Sequence, residues 1–429
     1  MTEALPKPRR SGKHKAFLVF NVLLAMTTVA AGSGLLYANW KLGNRQVVTI
    51  DSVPEGDGGL NLPPGDLSAK NYLITGSDNS ACVAPDSPYA GGFGKRTSFG
   101  ERSDSIMVIR VNPIDNQAAV ISFPRDMWVK QAGSSRSGRI NSNFDKKNPN
   151  RLIRTIKENF GISVDHYVNI DFCAFAEIVD AVGGVRVPFL FRAQDYRTGF
   201  KVLRKNVCYR FAGDHALAYM RSRHYRWYDS TLKKWRTDQS SDWGRIARQQ
   251  DFMRRMIRKA LDKSRTSPRV ATNILNAALK NVITDDRLTP LSVLQLGQAM
   301  KNFNADTMGS YTMPGVGQMI DKASVIVPDF ESATSKKILS VFQGKASLSI
   351  TVPGSEKADA SATVVATTLA VVAATTTTKP QPTTTVKTVP TTVAPVVTIS
   401  RTPTTTVPKV TINQDTRGVV PPNDPNCPF

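Results

Sequence analysis

Two short segments near the middle of the chain place arginines, a carboxylate and an amide at spacings suited to a phosphate-bearing ligand. In the first, Arg221 and Arg223 are two residues apart, so an extended backbone points both guanidiniums to the same side. If the second segment is helical, one of its faces carries Asp242, Arg245 and Gln249. Arginine suits pyrophosphate because its planar donors match two oxygens at once and it stays charged when desolvated.

Two more charged motifs flank predicted strands. Arg102-Ser103-Asp104 directly precedes a strand predicted at 105–111, and Pro124-Arg125-Asp126 directly follows a strand predicted at 117–123. Open α/β sheets bind ligands at strand ends. A carboxylate among arginines is also the setting in which a hard divalent cation bridges phosphates.

The elements that would position these residues belong to one folded block, predicted at 69–350. A buried strand is expected at 71–75, beside the two strands above, and helical spacing is found at 152–160 and 172–182. Strands alternating with helices indicate an α/β layered fold.

The N-terminus predicts where this block lies. Residues 16–40 are 25 uncharged residues, long enough to span a bilayer, and the leader at 1–15 is rich in Lys and Arg. We interpret 16–40 as a membrane anchor with a cytoplasmic leader, followed by a linker at 41–68. A cleaved signal peptide is the alternative. Both readings place the folded block outside the cytoplasm.

The other end of the chain has a different composition. Residues 371–410 contain 15 Thr and 6 Pro, a composition that cannot bury enough apolar surface to offset its ordering entropy. We therefore predict a disordered tail at 351–429.

Charge and cysteine usage exclude several classes of function. The net charge is +22, and residues 201–269 alone contain 19 Lys and Arg against 6 Asp and Glu. Nucleic acid is not expected as a partner, because the region faces outwards and carries no nucleic-acid motif. The four cysteines form no CxxC and no cluster with histidine, which excludes a structural zinc site.

Outside the cytoplasm the thiols should oxidise. One disulfide is expected within the folded block, with a pairing that spacing does not determine. Cys82, Cys173 and Cys208 leave an odd thiol, which either stays buried or pairs with Cys427.

The sequence resembles the LytR-CpsA-Psr family, strongly over roughly 70–260 and more weakly to 345. These are membrane-anchored phosphotransferases of bacterial envelopes. Seven motifs occur in the family's order: Gly76-Ser77-Asp78, Arg102-Ser103-Asp104-Ser105, Ser122-Phe123-Pro124-Arg125-Asp126, Ile140-Asn141, the segment 180–185, the segment 213–219 and the segment 242–250.

The resemblance implies a three-layer α/β/α domain with a central mixed sheet and an apolar lipid pocket. It also implies that Asp104 and Asp78 bind Mg²⁺, or alternatively Mn²⁺, and that Asp104 and Arg125 are catalytic. Asp242 would support the site by orienting Arg245 or by interacting with the acceptor. The residues expected to clamp pyrophosphate are Arg102, Arg125, Arg221, Arg223, Arg245 and Gln249.

The implied reaction moves a phosphate-linked glycopolymer from a polyprenyl-pyrophosphate carrier to a peptidoglycan hydroxyl at the membrane. The side chains expected to line the lipid pocket are Ile162, Phe172, Phe175, Ile178 and Val182. Two alternatives remain open: a polyprenyl-pyrophosphate phosphohydrolase, and a non-enzymatic wall-binding or regulatory membrane protein.

Overall fold

A computed structural model describes residues 46–50, 68–78, 82–90, 103–266, 282–300, 302–348, 408–412, 417–424 and 426–427. The predicted leader at 1–15 and anchor at 16–40 lie outside these ranges. Among the residues that are described, no helix is long and apolar enough to cross a bilayer.

Nineteen strands are described in these ranges. They are β1 (Val47–Val48), β2 (Lys70–Ser77), β3 (Ser103–Asn112), β4 (Gln117–Phe123), β5 (Trp128–Lys130), β6 (Ser137–Arg139), β7 (His166–Asp171), β8 (Val185–Phe189), β9 (Ala193–Asp195), β10 (Phe200–Val202), β11 (Val207–Phe211), β12 (Arg226–Asp229), β13 (Lys234–Thr237), β14 (Val282–Asp285), β15 (Gly309–Thr312), β16 (Gly315–Ile320), β17 (Ala323–Pro328), β18 (Ser347–Leu348) and β19 (Lys409–Val410).

The helices described in the same ranges are six α-helices and two short 3₁₀ turns. They are α1 (Asn150–Phe160), α2 (Phe172–Ala181), α3 (Gly213–Met220), α4 (Asp242–Thr266), α5 (Pro290–Ala299) and α6 (Ala333–Phe342), with 3₁₀ turns at Ile140–Asn143 and Ala305–Thr307.

A seven-stranded sheet in the order β1-β14-β7-β2-β3-β4-β15 forms the centre of the domain. Strands β2, β3 and β4 run antiparallel, whereas β7 joins β2 and β15 joins β4 in parallel. The predicted mixed sheet is therefore present. Within the expected linker at 41–68, β1 extends this sheet and Ile50 is buried in the core.

Helices cover both faces of the sheet. Alternate side chains of β2, β3 and β4, such as Leu73 and Val108, pack with α1 and α6 on one face. The intervening side chains, such as Met107 and Val120, pack with α4 and α5 on the other. This period-two division of apolar residues produces the three predicted layers.

A second, aromatic core lies beside the sheet. A four-stranded sheet in the order β10-β9-β12-β13 and the antiparallel pair β8–β11 pack there against α2, α3 and α4. Phe189, Phe200, Phe211 and Tyr219 stack within this core at centroid distances of 4.8–6.1 Å.

The end of the chain differs from the predicted disordered tail. Residues 349–407 lie outside the described ranges, but β19 pairs in parallel with β18, and residues 417–424 pack along α4. We refer to residues 417–424 and 426–427 as the C-terminal strap. The amino-acid composition could not predict this strap, because its contacts are with residues far away in the sequence.

All four cysteines form disulfides. Cys82 is bonded to Cys173 at the start of α2, and Cys208 on β11 is bonded to Cys427 of the C-terminal strap. The expected disulfide within the folded block is thus Cys82–Cys173, and the odd thiol pairs with Cys427. Two stable disulfides are typical of domains that fold in an oxidising compartment.

Candidate active site

Asp104 occupies an irregular position at the beginning of β3. Ser77 pairs with Ser103 and Gly76 pairs with Ser105, so Asp104 is an extra residue opposite the β2 backbone. A bulge of this kind redirects a side chain out of the regular sheet pattern. The carboxylate is buried, with 9% of the residue exposed.

Three arginines from separate elements converge on Asp104. Arg125, two residues after β4, donates from Nη1 to Asp104 Oδ1 at 2.8 Å. Arg245, in the first turn of α4, donates from Nη2 to the Asp104 carbonyl at 3.0 Å. Arg223 Nη2 lies 3.7 Å from Asp104 Oδ1. The sequence-predicted group of Asp104, Arg125, Arg223 and Arg245 is therefore brought together, and we call it the arginine cluster.

Asp242 is the second carboxylate of the site. Its Oδ1 lies 3.0 Å from Arg223 Nε and 2.9 Å from Arg245 Nη2. Because Asp242 and Arg245 are one helical turn apart in α4, this carboxylate orients both guanidiniums towards Asp104. Of its two expected roles, the one that orients Arg245 matches the geometry.

The arginine cluster perturbs the pKa values of its members. Burial alone would raise the pKa of Asp104, but the charges of Arg245, Arg223 and Arg125 and a hydrogen bond from Arg125 lower it to about 2. Burial, reinforced by the neighbouring Arg245, lowers the pKa of Arg223 to about 10. Asp104 and Arg223 are therefore both charged at neutral pH, in a largely buried site that gathers three guanidiniums.

A glycine fixes the start of α4. A Cβ on Gly244 would collide with the side chains of Ser240 and Asp238. The Asp238 carboxylate accepts from Arg248 Nη1 at 2.7 Å, and Arg248 Nη2 donates to the Ser222 carbonyl at 2.8 Å. Arg248 thus joins α4 to the turn that carries Arg223.

Sequence reasoning missed Arg248 and Asp238. The available signal was the helical spacing, since Arg248 follows Arg245 by three residues. Gln249 was found, but it serves as a link: it donates to the Met220 carbonyl at 3.0 Å and accepts from Ser105 Oγ at 3.2 Å.

Three other residues, Arg221, Asp78 and Arg102, were also predicted to belong to the site. Arg221 ends α3, and its guanidinium lies over the ring of Phe172 at 4.6 Å. Asp78 directly follows β2, at the same edge of the sheet as Asp104. Arg102 lies outside the described residues.

The five side chains expected to line the lipid pocket do not face one common space. Phe172 and Phe175 are neighbours beside α3, and Val182 lies in the aromatic core. Ile162 packs instead in the core under α1 and α6. Ile178, on α2, is only half-buried.

A divalent cation fits this site in part. The Asp104 carboxylate is ionised, which a metal ligand requires. Within the described ranges, no three His, Cys, Asp or Glu side chains gather in the way a protein cage for a metal would need.

Comparison with known proteins identifies the family. The LytR_cpsA_psr family model matches residues 64–339, which is more than half of the chain. The chain belongs to the LytR_cpsA_psr family. The family resemblance drawn from the seven motifs is confirmed.

Individual relatives match parts of the chain. The polyisoprenyl-teichoic acid–peptidoglycan teichoic acid transferase TagU of Bacillus mycoides is 31% identical over 203 residues, which are 47% of this chain and 60% of that protein. TagU of Halalkalibacterium halodurans is 29% identical over 287 residues, 66% of this chain and 83% of that protein. This LytR_cpsA_psr chain thus spans three fifths of the Bacillus mycoides relative.

Solved structures share the fold. The LytR-Csp2A-Psr enzyme from Actinomyces oris superposes with a TM-score of 0.51 at 21% identity, covering 70% of this chain and 96% of that chain. A protein from Streptococcus agalactiae gives a TM-score of 0.51 at 21% identity over 65% of this chain and 88% of that chain.

Proposed function

We propose that this LytR_cpsA_psr protein transfers a phosphate-linked glycopolymer from a polyprenyl-pyrophosphate carrier to a hydroxyl of peptidoglycan. The observation that carries the proposal is the arginine cluster: three guanidiniums gather around Asp104, two at its carboxylate and one at its carbonyl. The TagU relatives, which are named as transferases of teichoic acid to peptidoglycan, support the same reaction class.

Two nitrogen atoms of the arginine cluster support binding of an anion. Arg223 Nη2 and Arg245 Nε are buried, and neither has a hydrogen-bond acceptor in the described part of the protein. Unpaired buried donors are costly unless a ligand satisfies them. Phosphate oxygens are suitable acceptors, and a forked guanidinium can bind two of them.

The reaction would proceed by attack of a sugar hydroxyl on the phosphorus that bears the glycan. A new P–O bond forms, the bond to the lipid phosphate breaks, and polyprenyl phosphate leaves with the negative charge. Arg125, Arg223 and Arg245 would stabilise this developing charge. The hydroxyl proton must leave to a base of higher pKa than Asp104, because a carboxylate with a pKa of about 2 is a weak base.

We assign Asp104 to holding Arg125 and to contacting a Mg²⁺ ion, which would neutralise pyrophosphate charge. Mg²⁺ commonly takes one or two protein carboxylates and completes its shell with substrate phosphates and water. That preference suits a site that offers Asp104, with Asp78 at the same edge of the sheet.

The test uses the full chain in detergent, a synthetic polyprenyl-pyrophosphate glycan and peptidoglycan fragments, with product mass as the readout. We expect a glycan–phosphate–peptidoglycan adduct that requires Mg²⁺ and is lost in Arg125→Ala. Asp115→Asn, in the exposed turn between β3 and β4, is the matched control and should retain activity.

Two other outcomes would overturn the proposal. Release of lipid phosphate without an adduct, while acceptor is present, would identify a phosphohydrolase. Binding of the lipid-linked substrate without any product would identify a non-enzymatic binding protein.

A further inference from the structure

We propose that one end of the four-stranded sheet docks on an anionic phospholipid surface, a role beyond the proposed transfer reaction. The register brings three loops to this end, because Ala193 pairs with both Val202 and Trp227. The segments before β9, after β10 and after β12 therefore leave the sheet at the same edge. We call residues 190–192, 203–205 and 230–234 the docking loops.

Each docking loop presents a large apolar side chain to solvent. Leu190 and Phe191 precede β9, Leu203 follows β10, and Leu232 lies in the turn between β12 and β13. Between 45% and 55% of each residue is exposed. Single exposed apolar residues need no explanation, but four from three loops at one sheet edge form a patch.

Basic residues flank each of these apolar side chains. Arg192 follows Phe191, Arg204 and Lys205 follow Leu203, and the turn continues with Lys233 and Lys234. The acid of the turn, Asp229, is used internally: it accepts from the backbone N–H groups of Thr231 and Leu232 at 3.0 Å each. The docking loops therefore carry a net positive charge.

This combination favours a bilayer over a dissolved polyanion. A wall polymer in water would match the basic residues but would leave the leucines and the phenylalanine in water. Apolar tips that enter the acyl boundary, with Lys and Arg at the headgroups, are typical of proteins that bind anionic membranes.

The docking loops are held firmly and lie close in sequence to the arginine cluster. The Arg192 guanidinium lies 4.0 Å from the ring centroid of Tyr228, and the Tyr228 N–H donates to the Arg192 carbonyl at 2.9 Å. Strand β12 begins three residues after Arg223, and the docking loops lie beyond its other end. This four-residue strand therefore links the arginine cluster to the docked surface.

The test measures insertion of a single position. The full chain carrying Leu232→Cys, labelled with a fluorophore under non-reducing conditions, is placed in nanodiscs with brominated acyl chains, with or without phosphatidylglycerol. We expect quenching at position 232 that increases with the anionic lipid. Met319→Cys, exposed on the separate β16–β17 hairpin, is the matched control and should stay unquenched.

A charge-reversal pair tests the role of the lysines. Because each basic residue near an anionic surface contributes about fivefold to binding, Lys233→Glu/Lys234→Glu should lower the docked-to-undocked ratio by at least about 25-fold. Lys336→Glu/Lys337→Glu makes the same charge change on α6 and should leave the ratio unchanged. The proposal is overturned if the label at 232 is as unquenched as that at 319. It is also overturned if the label responds to added wall polymer and not to lipid.

Discussion

Removing the disulfide between Cys208 and Cys427 should destabilise the domain and loosen α4 selectively. The bond joins residues 219 positions apart. Closing a loop of that length lowers the conformational entropy of the unfolded chain, which raises the free energy of unfolding by about 5 kcal/mol at most. With a urea m-value of about 3 kcal/mol/M, Cys208→Ser/Cys427→Ser should lower the urea midpoint by roughly 1–2 M.

The other disulfide provides the control. Cys82 and Cys173 are 91 positions apart, so the same chain-entropy argument gives a loss smaller by about 0.8 kcal/mol for Cys82→Ser/Cys173→Ser. Both double variants should be compared by urea titration, followed by tryptophan fluorescence and circular dichroism. Coincident transitions are needed before free energies are compared.

Hydrogen exchange separates the local effect from the global one. The C-terminal strap supplies acceptors to buried arginines of α4: Arg248 donates to the Val419 carbonyl at 3.2 Å, and Arg255 donates to the Pro422 carbonyl at 3.0 Å. Without the bond to Cys427, the strap should dissociate and amide exchange should increase in the first half of α4. If Cys208→Ser/Cys427→Ser kept the wild-type midpoint and the wild-type exchange in α4, the reasoning would be refuted.

Three further predictions concern the site itself. The folded pKa of Asp104, about 2, lies below its ordinary 3.8, so its ionisation stabilises the protein above pH 4 and this contribution is lost as the pH falls towards 2. In urea titrations without metal, Asp104→Asn should lower the free energy of unfolding by about 2 kcal/mol at pH 7, and by about 1 kcal/mol less at pH 3. A difference between variant and wild type that did not change with pH would contradict this. Gly244→Ala should lower the free energy of unfolding by about 1–3 kcal/mol through steric collision, whereas Gly297→Ala in α5, where a Cβ meets nothing within 4 Å, should be neutral or stabilising. Arg245→Lys keeps the charge but loses the planar guanidinium whose Nη2 contacts both the Asp104 carbonyl and Asp242, so turnover should fall about a hundredfold with little change in stability; unchanged turnover would exclude Arg245 from the clamp.

The positions of strands and helices could be predicted from the sequence wherever a local pattern of residues determined them. Strand β4 has the predicted bounds, and the segment from Asp242 is helical, which places Asp242 and Arg245 on one face. The family motifs then identified the residues of the arginine cluster, because each motif places its charged residue at the end of an element. Local periodicity and motif order together predicted the sheet and the residues that gather in the arginine cluster.

Contacts between distant segments could not be predicted in this way. The C-terminal strap follows a long Thr- and Pro-rich stretch, and its bond to Cys208 and its contacts with α4 come from residues far away in the sequence. Ile162 was predicted to line the lipid pocket because it is apolar. It packs instead under α1, in a different core from Phe172. Apolar character predicts burial but does not specify which core a residue joins.

The distribution of charge along α4 explains why anion affinity should concentrate at the arginine cluster. Arg248 is fully buried but has Asp238 as a close partner at 2.7 Å, so its desolvated charge is compensated. Arg245, three residues earlier and also buried, shares Asp242 with Arg223. Arg125 has Asp104 and Asp126 as partners, and Asp126 is itself shared with Arg139. Buried charge without a full complement is destabilising unless a ligand supplies the missing counter-charge. One face of one helix thus combines Arg248, which holds the C-terminal strap and has Asp238 as its own partner, with Arg245, which shares its carboxylate with Arg223 and would gain counter-charge from a bound pyrophosphate.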